Sequence, residues 1–124
     1  MVLALTTGLF PSAIFNIQTV SYAANRSFTP VADSYVVSDD TDENNGKMAN
    51  MYVKGPASYP ECEVYIRFDL SSLNTSTVAS ATLKLYAVHL KDGTAVCNVV
   101  PVESDTWGET SLTWSTKPDR KSVV

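Results

Sequence analysis

Histidine is all but missing: His89 stands alone in 124 residues. That removes the paired-histidine metal motifs of zinc hydrolases, and neither an activated-nucleophile motif nor a glycine-rich phosphate loop takes their place. Cations are in short supply, with nine Lys and Arg against thirteen Asp and Glu and a net charge of −4. Nucleic acid calls for a broad basic surface, so it is excluded as a partner, and any anionic ligand needs a local patch. Cysteine occurs twice, at Cys62 and Cys97, too few and too far apart for a zinc cluster. Long apolar runs are absent too. The most apolar stretch, "MVLALTTGLF", is broken by Pro11 well short of the ~20 residues a spanning helix needs.

What the opening segment does contain is a leader pattern. No charged residue occurs from Met1 to Ala24, and Ser21-Tyr22-Ala23-Ala24 offers small residues at signal-peptidase spacing. Residues 1–24 therefore read as a signal peptide without its positive n-region, which fits a start at an internal methionine of a longer leader. A secreted, extracellular protein follows, with no membrane contact once the signal is removed. In that compartment the two cysteines are free to oxidise, and a Cys62–Cys97 disulfide and two buried thiols are both open readings.

Residues 25–124 make one domain by size, and their periodicity is two rather than 3.6. In "CEVYIRFDL" the set Cys62, Val64, Ile66, Phe68, Leu70 alternates with Glu63, Tyr65, Arg67, Asp69, which predicts a half-buried strand with the first set inward. "ATLKLYAV" alternates likewise, with Leu83, Leu85 and Ala87 inward and Lys84 and Tyr86 outward. "TAVCNVVPV", "ADSYVV", "NMYV" and "SLTW" add shorter strands, for about six. Turn signals separate them: "SDDTDENNGK", "GPASYP" and the hairpin "KDG". The fold class is all-β, an antiparallel β-sandwich of jelly-roll type. Six strands leave it incomplete, because such a roll usually has about eight.

Five stretches, "VADSYV", "ENNG", "VYIRFDLSSL", "ATLKLYAV" and "DTWGETSLTWSTKP", follow one another in the order and spacing of a known family. The chain resembles the DNRLRE domain, also classed as carbohydrate-binding module family 96, over about Pro30 to Pro118. The resemblance implies a secreted, non-catalytic jelly-roll module that targets a parent polysaccharide-degrading enzyme, for example a lyase, to an acidic polysaccharide such as alginate. It also implies covalently linked catalytic or surface domains. The family continues with further strands past the Trp-x-x-x-Pro segment, so residues 25–124 are expected to be the N-terminal part of the module. The alternative is a structural or adhesive module of a bacterial or archaeal cell-surface protein with no glycan ligand.

A polyuronate carries a carboxylate on every sugar, so its reader gains most from Lys and Arg set along one face. The resemblance matches Lys47 and Lys54 to the family's lysine-bearing loop and strand, and Arg67 to its basic strand position. Lys84 joins them as an outward cation, and Tyr65 and Tyr86 share the outward faces, where they could stack on a pyranose or simply pack across strands. Trp107 and Trp114 read as structural plugs rather than a sugar platform. Asp105 and Glu109, a carboxylate pair that could in principle serve glycoside chemistry, fall inside the same structural motif. In the acidic loop, Asp40, Asp42 and Asn44 are spaced two apart, but glycine and the twelfth residue miss the EF-hand pattern. Asp33, Asp40 and Asp42 are candidate ligands of a structural calcium, against a plain solvated loop. No other cofactor is expected.

Overall fold

The structure is a computed structural model that describes residues 25–57, 59–73, 78–89 and 97–121. The expected leader, 1–24, and the "KDG" hairpin lie outside the described residues. Two strands form the sheet, β1 (Ala32–Val37) and β2 (Cys62–Arg67), paired antiparallel. Both are rich in the aromatic and β-branched residues that suit a pleated surface: Tyr35, Val36 and Val37 on one, Val64, Tyr65 and Ile66 on the other. Among the described residues there is no helix, and both strands belong to one antiparallel sheet, consistent with an all-β fold.

Each end of the ladder has a local cause. Ser38 closes one end, its N–H donating to the Glu61 carbonyl at 3.0 Å while its Oγ accepts from the Glu61 N–H at 2.9 Å. At the other end Asp69 accepts the Ser71 N–H through its carboxylate at 2.9 Å, an Asx turn that takes the chain out of extended geometry. Lys54 adds a two-bond bridge to the far edge of β2 at Cys62, 3.1 and 3.0 Å.

The register puts Ala32 opposite Arg67, Ser34 opposite Tyr65 and Val36 opposite Glu63, and these six residues share one sheet face. The core lies on that face: Ala32, Val36, Tyr65, Trp107 and Leu112, with Val102 and Trp114 packed against it. The expected facing of β2 is thus reversed. Tyr65 is 5% exposed and meets Trp107 edge to face at 6.0 Å. Its aromatic bulk decides the inward side, and the flanking Glu63 and Arg67 are accommodated by polar partners described below. The opposite face, with Cys62, Val64 and Ile66, is partly covered as well.

The other four expected strands form no ladder among the described residues. "NMYV" contributes only the Lys54 bridge beside it, and residues 97–102 only a bridge between Val102 and Arg120. "TAVCNVVPV" begins outside the described residues. "ATLKLYAV" is exposed, with Leu83 and Leu85 at 43% and 64%. "SLTW" is a turn because the Gly108 carbonyl accepts both the Ser111 and Leu112 N–H groups, at 3.1 and 3.0 Å.

Candidate functional site

The two polar segments that look most functional in sequence are fastened to each other. Asn44 Nδ2 donates to the carbonyls of Glu109 and Leu112, both at 2.8 Å, and its Oδ1 accepts the Gly46 N–H at 3.3 Å. Gly46 lies directly against the Glu109 backbone, where a Cβ would overlap the carbonyl oxygen. Glu109 in turn caps the outer edge of β1, its Oε2 accepting the Asp33 N–H at 3.2 Å. "ENNG" and "DTWGETSLTW" therefore form one clamp, with Trp107 and Leu112 driven into the core beneath it. This supports the plug reading of Trp107. Trp114 packs against the core's rim with the Lys117 ammonium 4.5 Å from its ring centre.

The acidic residues of this region are spread out. Asp40 and Asp42 are exposed, Asp42 accepts the Ser115 hydroxyl at 3.2 Å, and Asp33 is half-buried on β1. Among the described residues no three His, Cys, Asp or Glu gather closely enough to hold a metal ion. The two cysteines are unbridged, Cys62 buried and Cys97 exposed.

Of the cations, several are engaged within the chain. Arg67 donates through one guanidinium nitrogen to the carbonyls of Asp105 and Trp107, both at 2.7 Å, and lies 5.4 Å over the Trp107 ring. Lys117 and Arg120 converge on Glu63 at 3.1 and 2.6 Å, and Arg120 also reaches Glu61 at 3.4 Å. The Tyr65 hydroxyl donates to the same Glu63 carboxylate at 2.8 Å. Burial pushes the Glu63 carboxyl up, but the Tyr65 and Lys117 hydrogen bonds and the charges of Lys117 and Arg120 outweigh it, leaving the group below its ordinary value. Burial, and then that carboxylate, raise the Tyr65 phenol.

Lys47, Lys54 and Lys84 behave differently: all three are exposed, and none forms an ion pair with a described residue. Tyr86 is 92% exposed. The structure therefore separates the candidate ligand residues, with Tyr65 and Arg67 turned to the core side and Lys47, Lys54, Lys84 and Tyr86 left at the surface.

Two depressions lie among the described residues. The larger, about 640 Å³, is bordered by Arg67 and by the carboxylates of Asp69 and Asp105, an unfavourable lining for a polyanion. The smaller, about 270 Å³, is lined by Tyr35, Val37, Tyr52, Lys54, Pro60 and Cys62, on the sheet face away from the core. Its lining has one cation, no carboxylate and two tyrosine rings.

The family model of carbohydrate-binding module family 96 matches residues 24–124. The chain belongs to carbohydrate-binding module family 96. No curated protein and no solved structure matches it. Carbohydrate-binding modules are binding units, and this chain's exposed groups among the described residues include Lys47, Lys54, Lys84 and Tyr86. Glu109, the nearer thing to a catalytic carboxylate in the motif, is held by the Asp33 backbone. Asn44 enters the sequence reading only through its spacing in the acidic loop, and Gly46 and Tyr52 are given no individual role there. The Asn-Gly step at Asn45-Gly46 was the available signal for the first two.

Proposed function

We propose that this family-96 module binds an acidic polysaccharide, alginate or another polyuronate, through Lys47, Lys54 and Lys84, and that in a secreted protein it holds a covalently linked polysaccharide-degrading enzyme on its substrate. The observation that carries the reading is the division of the cations. Arg67, Lys117 and Arg120 serve the fold, whereas the three lysines, like Lys121, stand exposed without an ion-pair partner among the described residues, in a chain whose net charge is negative. Exposed, uncompensated cations on an otherwise acidic protein are what long-range attraction of a polyanion requires. The family's jelly-roll sandwich is part of the reading: the alternation Leu83, Leu85, Ala87 gives segment 81–88 an apolar edge suited to a second sheet, with Lys84 and Tyr86 on its other side.

Electrophoresis through gels containing alginate, polygalacturonate or a neutral glucan tests the proposal. Retardation is expected in the two polyuronate gels alone, shrinking as salt shortens the Debye length from about 10 Å at 0.1 M to about 3 Å at 1 M. The triple variant Lys47→Ala, Lys54→Ala, Lys84→Ala should migrate as if no glycan were present. Unchanged mobility of the parent in both polyuronates would overturn the reading in favour of a structural or adhesive module.

A further inference from the structure

Exposed lysines alone make a weak and unselective reader. A solvent-facing ion pair contributes roughly 0–1 kcal/mol, and any polyanion satisfies it equally. Selectivity for a sugar needs an apolar surface at a fixed place beside the charge. The groove around Lys54 supplies one.

Lys54 is anchored where it starts, because its N–H and carbonyl both bond to Cys62 on β2. Its stem therefore leaves a backbone position bridged to β2 rather than a free loop. Two residues earlier, Tyr52 lines the same groove. The Tyr52 ring meets Tyr35 edge to face, with centroids 5.4 Å apart and planes at 75°. Tyr35 is a β1 residue, 7% exposed and flanked by Cys62, while Tyr52 itself stays 53% exposed. The Tyr52 ring is thus held against a buried one while the residue stays about half exposed. Pro60 and Val37 complete an apolar floor, and no carboxylate enters the lining.

We propose that Tyr52 and Lys54 form a single-sugar subsite for a uronate residue, in which the pyranose lies on the Tyr52 ring and the Lys54 ammonium takes the carboxylate. The proposal rests on the polyuronate reading above and deepens it. The ring supplies the contact common to all pyranoses, and the lysine supplies the preference for the acid. The groove, at about 270 Å³, is of a size for one sugar of a chain that runs on past it. The remaining lysines would then steer the polymer, while this subsite fixes its register.

Calorimetric titration of the full chain with a short oligouronate and with its neutral counterpart separates the two contributions. Tyr52→Leu keeps apolar bulk without the aromatic face, and it should weaken the oligouronate about tenfold, which corresponds to about 1.4 kcal/mol. Tyr52→Phe should bind as the parent does. Lys54→Gln should bring the oligouronate down to the level of the neutral oligosaccharide. Thermal unfolding of each variant establishes that it is folded, and ring proton shifts of Tyr52 on titration of the parent give a readout that needs no variant. A parent that binds no oligouronate sinks this inference together with the polyuronate reading. A parent that binds, with Tyr52→Leu binding equally well or with unmoved Tyr52 ring protons, sinks the subsite alone.

Discussion

Replacing Arg67 by alanine is the most informative single change, because the strand alternation and the structure assign it opposite roles. As an outward cation it would contribute to ligand and little to the fold. In the structure its guanidinium joins the end of β2 to the Asp105–Trp107 segment by two hydrogen bonds of 2.7 Å and covers the Trp107 ring at 5.4 Å. Hydrogen bonds with one charged partner contribute roughly 1.5–3 kcal/mol each, and a partly exposed cation over an aromatic ring adds about 0.5–1 kcal/mol. The Asp105 bond faces solvent, so the lower ends apply, and the expected loss is about 3.5 kcal/mol. For a domain of this size that corresponds to a fall in Tm of roughly 10–20 °C. Arg67→Lys keeps the charge but lacks the planar guanidinium that covers the Trp107 ring, and should lose roughly half as much. Urea unfolding followed by tryptophan emission suits the assay, since Trp107 is the group Arg67 covers. A loss below about 0.5 kcal/mol for Arg67→Ala, together with weakened polyuronate binding, would refute the structural role and return Arg67 to the ligand face.

Three further outcomes follow from the same contacts. Glu63 has a carboxyl held below its ordinary value of 4.5, so the stability it contributes is complete above that pH and lost as pH falls through the lower folded-state value; urea midpoints measured between pH 6 and 3 should drop, and Glu63→Gln should flatten the slope. Asn44→Ala removes both bonds to the Glu109 and Leu112 carbonyls, and Gly46→Ala forces a Cβ onto the Glu109 carbonyl, so each should cost about 2 kcal/mol in the same unfolding assay. A thiol reagent should label Cys97 quickly and Cys62 only in denaturant, because Cys62 is buried and its burial, against the pull of Lys54, raises the thiol pKa; equal rates in the native protein would contradict the packing of the β2 edge.

The positions of β1 and β2 are legible in the sequence because alternation and β-branched content are local properties: β1 falls where "ADSYVV" puts it, and β2 takes the first six residues of "CEVYIRFDL", ending before the Asp69 turn. The facing of β2 is not, and the reason is specific. Both of its faces carry apolar atoms, so the choice turns on whether Glu63 and Arg67 find partners inside, and those partners are far along the chain: Lys117, Arg120 and the carbonyls of Asp105 and Trp107. A charged residue reads as outward until its partner is known. The same holds for Asn44, which looks like a cation ligand by spacing and proves to be a clamp because its acceptors lie 65 and 68 residues away.

The candidate site divides along the same line. That Lys47, Lys54 and Lys84 are exposed is a default that sequence gets right, since an ammonium without a buried partner stays in water. That Tyr52 belongs with Lys54 depends on Tyr35 of β1 holding its ring, a contact across the sheet rather than along the chain. Periodicity places residues on faces, but selectivity for a sugar over a mere anion arises where a ring from one segment and a charge pinned to another strand meet. Among the described residues the Tyr35, Tyr52 and Lys54 groove is the place proposed for such a meeting; its lining holds no carboxylate, and the Asp39, Glu43 and Glu61 charges that act on Cys62 and Tyr35 stand outside that lining. The division of labour among the cations then has a physical basis: those with a carboxylate or carbonyl to satisfy them became part of the packing, and those without remain available to a ligand that brings its own.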